Sequence, residues 1–277
     1  MTTPIFTLCP DAAAMRAAIA PWLAVDPVPF ALVCGIAEKA ERTGWSGLIT
    51  IDGKPVLAVA QTPPRPAIIA TPYPVEPRVV AVIADVFRSD QRAVRGVNGP
   101  EPWAMAIAQL CSSTPQINDR LRLHRLVGAP RLPHATAGMA RPFRADETSL
   151  IRQWMLEFNV AVMSPADRGP EPTLADAEAK RPSLLAWTVN DIPVSMAGTA
   201  RRLLGGWTIA PVYTPPTLRG HGYAGTITHA LSAQLVAQGS TYVALYTDLA
   251  NPISNRLYAR IGYVPVMDQV AISWSEQ

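Results

Sequence analysis

The same order of elements occurs twice along the chain, and each copy opens on a hairpin whose turn residues leave little conformational choice. Residues 45–61 read as two strands around Asp52-Gly53, and residues 183–199 repeat the pattern around Asn190-Asp191. Asp, Asn and Gly tolerate the positive φ that a two-residue hairpin turn demands. Each hairpin is followed by a short apolar strand (67–73 and 208–213) and a helical pattern (78–87 and 223–238). A second strand comes next (93–98 and 243–248), then a second helix (101–111 and from Pro252) and a closing strand (120–126 and 266–274). The chain reads as an internal duplication.

A length of 277 residues suits two domains, each with its own core. Residues 127–138 are rich in Pro, Gly and Ala and lack periodicity, which marks a linker. The expected division is therefore 1–127, a linker at 128–138, and 139–277. The run 150, 151, 154 and 158 has helical spacing after Asp146, an expected N-cap. Residues 164–181 are mostly polar and proline-containing, with helical potential confined to 173–180. Hydrophobic residues make up 49%, yet no apolar run reaches the length of a membrane span, and the run at 79–87 is broken by Asp85. A net charge of +3 spread without Lys/Arg blocks argues against nucleic-acid binding. The start lacks a basic segment followed by an apolar core, so no signal peptide is expected. Cys9, Cys34 and Cys111 sit among apolar residues without metal-like spacing, as buried thiols of a reducing cytoplasm do.

The halves differ where chemistry belongs. In the second, Thr214-Pro-Pro-Thr-Leu-Arg219-Gly-His-Gly222-Tyr-Ala-Gly225 joins a strand to a helix. Glycines at 220 and 222 permit close backbone approach, and a helix start directs free N–H groups and positive dipole at one point beside Arg219. Such a loop holds phosphate. The corresponding stretch of the first half, residues 72–78, has three prolines, an acid and no glycine. Gly220-x-Gly222-x-x-Gly225 also matches a dinucleotide fingerprint, with Asp248 where a ribose-binding acid falls. That fingerprint needs the strand to run straight into the first glycine and a long series of parallel strands to follow. Here two prolines intervene, and only one helix and one strand follow Asp248.

The alternative matches more residues. Arg219-Gly-His-Gly222-Tyr-Ala224 resembles the acetyl-CoA loop of the GCN5-related N-acetyltransferases (GNATs), whose signature is Arg/Gln-x-x-Gly-x-Gly/Ala. Downstream, Asn251-Pro-Ile-Ser-Asn255-Arg-Leu-Tyr258-Ala-Arg-Ile-Gly262-Tyr263 resembles that family's second signature. The resemblance covers about 139–277. It implies an α/β fold (α+β in some schemes) of tandem GNAT-like domains, each a mixed central sheet flanked by helices, the first degenerate and without a cofactor loop.

By the same resemblance, the backbone of Val212, Tyr213 and Thr214 binds pantetheine and stabilises an oxyanion, worth ~3 kcal/mol per well-placed donor. The backbone of Arg219, Gly220, His221, Gly222, Tyr223 and Ala224 holds the pyrophosphate of acetyl-CoA. Tyr258 is the candidate general acid, although a mid-helix Tyr is otherwise a core aromatic. Asn251 and Asn255 are candidate cofactor contacts; an N-cap and an exposed polar residue are their structural roles. For the general base, Asp248 ranks first and Glu157 second, against a turn-capping acid and a solvated helix-face acid. His221 and His229 lack metal-like companions, so no metal is expected.

These expectations add up to a cytoplasmic N-acetyltransferase that uses acetyl-CoA directly on an amine of a small molecule or peptide. A non-catalytic acyl-CoA-binding sensor or scaffold is the alternative. The part of the first half is open between shaping the acceptor pocket, homodimerisation and stabilising the second half. The acceptor's identity is not written in the sequence.

Overall fold

The computed structural model describes residues 2–72, 74–89, 94–162 and 169–275. Tyr73 and Ala93, expected in strands, and residues 164–168 of the polar stretch lie outside the described residues. The chain forms two compact units, Met1–Leu123 with Val266–Gln277, and His124–Pro265.

The first unit contains β1 (Ile5–Leu8), α1 (Ala12–Ala18), α2 (Ala20–Val25), α3 (Ala31–Thr43), β2 (Trp45–Ile51), β3 (Lys54–Gln61), β4 (Ala67–Ala70), α4 (Pro77–Arg88), β5 (Gly96–Pro100), α5 (Glu101–Cys111) and most of β6 (Gln116–Leu126). The second contains β7 (Met139–Pro142), α6 (Thr148–Val162), α7 (Leu174–Lys180), β8 (Leu184–Val189), β9 (Ile192–Leu203), β10 (Gly206–Tyr213), α8 (Tyr223–Ala237), β11 (Val243–Asp248), α9 (Pro252–Ile261) and the start of β12 (Tyr263–Ser273).

Both hairpins form where the turn dipeptides direct. Asp52 and Gly53 have φ of 51° and 72°, and Asn190 and Asp191 have 50° and 65°. In the first unit the sheet order is β1-β2-β3-β4-β5-β12, with β4 and β5 parallel and the β1–β2, β2–β3, β3–β4 and β5–β12 pairs antiparallel. In the second it is β11-β10-β9-β8-β7, with only β10 and β11 parallel among these pairs. Each is a mixed sheet with helices against it, an α/β arrangement as expected.

Strand alternation sorts the apolar residues of the second unit between two faces. Leu184, Ala186, Met196 and Tyr213 pack with Ile151 and Trp154 of α6 and Ala177 of α7. Ala197 and Ile209 belong to the opposite core, with Ile227 and Leu231 of α8 and Tyr258 and Ile261 of α9.

Two expectations about boundaries change. The last strand does not simply close the second half: Gln269–Ser273 pair antiparallel with Gly96–Pro100, and Val270 and Ile272 are fully buried in the first unit's core. Two buried apolar side chains and a full run of pairing outweigh chain order. Residues 127–138 are not a free linker either, because they belong to the second unit and bond to it along their length. Val127 N–H donates to the Gly262 carbonyl (3.1 Å), Arg131 N–H to the Ile261 carbonyl (2.8 Å), and Trp187 Nε1 to the Ala137 carbonyl (3.0 Å). A further adjustment concerns α6. A single 3-10 turn at Ala145–Glu147 precedes it, and Asp146 lies within that turn while the Glu147 carboxylate accepts from Arg144 N–H at 2.7 Å. Among the described residues, no helix is long and apolar enough to cross a membrane.

Because β12 completes the first unit's core, Ile272→Ala should destabilise that unit by about 2–5 kcal/mol, the cost of truncating a buried Ile. Hydrogen exchange measured by mass spectrometry should show lost protection in β3 and β4. Protection in β11 should change much less.

Candidate active site

The site starts with a parting of strands. β10 pairs with β11 at Trp207, Thr208 and Ile209 only, whereas it stays on β9 as far as Tyr213. Register shifts on either side of Ile209 accompany the change. Pro211 follows, without an N–H to offer a neighbouring strand. Beyond Ile209 the β11 side of β10 is therefore backbone without a ladder partner among the described residues, and buried peptide groups of that kind demand one. Ser195 secures the last residues from the β9 side, since its hydroxyl donates to the Tyr213 carbonyl (2.9 Å) and bonds the Thr214 hydroxyl (2.8 Å).

A cavity of about 870 Å³ opens at this parting, within the range of small-molecule sites, about 300–1,000 Å³. Val212, Tyr213 and Thr214 line it, followed by Arg219, Gly220, Gly222, Tyr223 and Ala224 and by Asn251 and Tyr258 of the second motif. The structure thus brings ten of the residues singled out in the sequence to one cavity. Gly220 has φ of +84°, and a Cβ there would meet nothing within 4 Å, so its backbone faces open space. Gly222 is the N-cap of α8, with φ of +82°. Side chains strongly disfavour both conformations. Gly225 serves packing: a Cβ there would fall 2.7 Å from Leu257 Cδ1 of α9, so its absence lets α9 lie on the first turn of α8.

The segment expected to be a linker seats itself on this loop. Thr136 Oγ1 bonds Thr226 Oγ1 (3.1 Å), and Thr226 Oγ1 also donates to the Gly222 carbonyl (3.1 Å). A Cβ on Gly222 would meet Thr136 Cγ2 at 3.0 Å and His134 Cδ2 at 3.5 Å. Pro133 packs against the same turn, 3.1 Å from where a Gly225 Cβ would lie.

The remaining predicted residues separate by role. Tyr258 is buried and lines the cavity, but its hydroxyl has no protein partner among the described residues. Burial pushes its pKa up to about 12, so it holds its proton at neutral pH. Tyr263, whose hydroxyl bonds Ser232 Oγ at 2.7 Å, sets it edge-on at a ring separation of 6.0 Å. Asn251 is the N-cap of α9, its Oδ1 accepting from Ile253 N–H (3.2 Å) and Ser254 N–H (3.1 Å), and it also lines the cavity.

Asn255 and His221 do not line the cavity. Asn255 Oδ1 accepts from Thr247 Oγ1 (2.6 Å), and its Nδ2 donates to the carbonyls of Asp248 (3.0 Å) and Asn251 (2.8 Å). His124 Nε2 bonds the same Thr247 hydroxyl at 3.0 Å, so a buried polar chain fixes the start of α9 to the end of β11. The His221 ring turns onto its own loop, with Nδ1 3.0 Å from the Arg219 carbonyl, and stacks on Tyr223 at 5.5 Å.

The two candidate bases part company as well. Asp248 is exposed, lies off the cavity, and its Oδ1 accepts from Ala250 N–H at 2.8 Å, the turn-capping role. Glu157 is also outside the lining, but its Oε2 accepts from the hydroxyl of Tyr213, a lining residue, at 2.6 Å. Gln153 Nε2 donates to the other oxygen at 2.9 Å. Burial first, and then the Glu157 hydrogen bond and charge, push Tyr213 up to about 12.

Sequence reasoning missed Arg256 and Arg260, which line the cavity from α9, and missed the contacts from 133–136. An i,i+4 basic pair inside the second motif was the available signal for the arginines. For 133–136 there was none, since an irregular segment has no period. Among the described residues, no group of three or more His, Cys, Asp or Glu is placed to hold a metal ion.

Comparisons with known proteins bear on the fold. Residues 191–271 match the family model described as FR47-like protein. A GCN5-related N-acetyltransferase from Sphaerobacter thermophilus superposes with a TM-score of 0.65 at 15% identity, covering 97% of this chain and 94% of that one. The fold is that of the GCN5-related N-acetyltransferases. A GNAT-family acetyltransferase from Colwellia psychrerythraea gives 0.60 at 12% identity over 98% and 100% of the two chains. A tandem GNAT protein from the clavulanic acid biosynthesis pathway gives 0.55 at 12% over 97% of each. A search of curated protein sequences finds no match. These identities speak for the fold alone.

Tyr213 and Tyr258 are both raised above the ordinary tyrosine value near 10, so the folded chain keeps protons that the unfolded chain releases. That stabilisation is full below about pH 10 and falls as pH rises towards 12. Urea midpoints measured from pH 8 to 11.5 should decline above pH 10. Replacing either tyrosine by Phe should flatten the decline.

Proposed function

We propose that the second unit is an acetyl-CoA-dependent N-acetyltransferase that transfers the acetyl group directly to an amine of a small molecule or peptide. The observation that carries this is the convergence on one cavity of β10 backbone beyond its ladder with β11, a left-handed glycine loop at a helix start, and a buried tyrosine whose hydroxyl has no protein partner among the described residues.

The residues fit coenzyme A. The open face of Gly220 and the first N–H groups of α8 suit a pyrophosphate, and Arg219 is held beside them by its Nε donating to the Thr214 carbonyl at 3.1 Å. The edge at 212–214 suits the amides of a pantetheine arm. Bound acetyl-CoA supplies an activated thioester, and the chain supplies the rest. N–H groups at 212–214 donate to the carbonyl oxygen as negative charge develops on it. With acetyl-CoA held there, Tyr258 would hold the proton that the departing thiolate takes once an acceptor amine has attacked the thioester. Glu157 is the better placed of the two candidate bases, because Tyr213 connects it to the cavity: the tyrosine oxygen takes the amine proton as its own passes to the carboxylate. Direct transfer needs no acyl-cysteine, and no cysteine lines the cavity among the described residues.

In the first unit the equivalent positions differ. β4 and β5 are parallel at Ala67 and Ile68, but a Cβ on Gly99 would lie 2.3 Å from Ile69 Cγ1, so the Ile69 side chain fills the space beside β5. α4 opens on Pro77 behind Glu76, an acid at a helix start, and Glu76 Oε2 is 2.7 Å from Arg78 Nε. One cofactor per chain follows from these differences.

Isothermal titration with acetyl-CoA and NADH, followed by thiol release with a panel of amines, tests the reading. Acetyl-CoA binding and amine-dependent thiol release are expected; tight binding with no turnover on any amine favours a sensor or scaffold, and binding of NADH instead overturns the site. Gly222→Val should abolish acetyl-CoA binding, since the side chain would be both strained at φ of +82° and pressed on Thr136. Tyr258→Phe should lower kcat by about 100-fold, the usual scale for a general acid, while the acetyl-CoA Kd stays within twofold by titration.

A further inference from the structure

The cavity's described lining contains three arginines, Arg219, Arg256 and Arg260, and no carboxylate. Arg219 belongs to the loop, and with the amides of that loop it accounts for a pyrophosphate. Two cations on α9 are left over. Arg256 and Arg260 are one turn apart and exposed, so they share one helix face. Arg256 Nε donates to the Pro252 carbonyl at 3.2 Å, which fixes its stem along α9 and leaves its terminal nitrogens available. Arg260 has no protein partner among the described residues, and as the basic residue of the last turn of α9 it is favoured by the helix dipole.

Their position relative to the loop is set by packing. Leu257 touches the first turn of α8 at Gly225, and Arg256 and Arg260, on either side of Leu257 in α9, line the same cavity as the glycine loop. In coenzyme A the 3′-phosphate sits on the ribose whose 5′ position carries the pyrophosphate, one sugar away. It is a monoester with about −1.5 to −2 charges at pH 7, and a dianion of that geometry is what paired guanidinium groups recognise.

We infer that Arg256 and Arg260 bind the 3′-phosphate of coenzyme A and make the site selective for coenzyme A over its 3′-dephospho form. This rests on the acetyl-CoA reading above and adds a specificity that neither the loop nor Tyr258 supplies. Both guanidinium groups are solvated, so the selectivity is moderate and weakens with salt.

Titration calorimetry of the full chain with coenzyme A and with dephospho-coenzyme A, at low and high salt, tests it. The unmodified protein should bind both, coenzyme A roughly tenfold more tightly, the scale of two partly solvated ion pairs, with the gap narrowing in high salt. Arg256→Gln with Arg260→Gln should reduce coenzyme A affinity to that of the dephospho form and leave dephospho-coenzyme A binding unchanged. Both positions are exposed, and circular dichroism should show an intact fold. Equal binding of the two ligands by the unmodified protein, or an equal loss for both in the double variant, overturns the inference while leaving the acetyl-CoA reading standing. Binding of neither ligand overturns both.

Discussion

The parting of β10 from β11 after Ile209 is the constraint on which the rest of the second unit depends. A sheet that continued to zip there would satisfy every backbone group with another strand and leave nothing for a ligand. Ending the ladder early leaves peptide groups that need partners, and a buried peptide group without one costs about 1–3 kcal/mol. The structure contains that cost on one side only. β9 keeps its hold through Tyr213, and Ser195 bonds the Tyr213 carbonyl, so the open edge is rigid. A rigid edge of donors can serve both as a binding surface and as an oxyanion site, because it need not reorganise when charge develops.

What was legible in the sequence were the features with a fixed local cause. Asp52-Gly53 and Asn190-Asp191 dictate their turns, and the periodic runs at 101–111, 223–238 and from Pro252 became α5, α8 and α9. Arg219, Gly220, Gly222 and Tyr258 reached one cavity because two sequence motifs report local geometry that the fold preserves. The α-helices within residues 12–43 were not read, nor was the exchange by which β12 completes the first unit's core. Exchange of that kind depends on which apolar face is left uncovered, and a strand's own sequence does not say which sheet it joins. Residues 127–138 were misjudged for a related reason. Their bonds to Gly262, Ile261 and Trp187 use backbone groups, which any residue supplies.

The polar residues show how one motif position can serve structure and chemistry together or only one of them. Asn255 spends its whole amide on Thr247, Asp248 and Asn251, and so holds the start of α9 where Tyr258 and the two arginines need it. Asn251 spends its oxygen on capping and also lines the cavity. Asp248, at the end of the strand, had the better position in sequence for a base, but a turn already claims its carboxylate. Glu157 lies on α6, far away in sequence, and only the Tyr213 hydroxyl reveals its connection to the site.

The two units then illustrate how little must change for a binding site to vanish from a duplicated fold. Each has a parallel strand pair followed by a helix. In the second, small and left-handed residues keep the space beyond the pair open. In the first, Ile69 against Gly99 turns that space into core, and Pro77 behind Glu76 replaces donors with a ring and a carboxylate. Burying Ile69 stabilises the unit by about 2–3 kcal/mol relative to leaving it exposed, so filling the cleft carries a direct energetic reward once no ligand has to enter. Keeping the cleft of the second unit open forgoes that reward. The arginines, the glycines and the strand edge without a ladder partner among the described residues occur together at that open cleft.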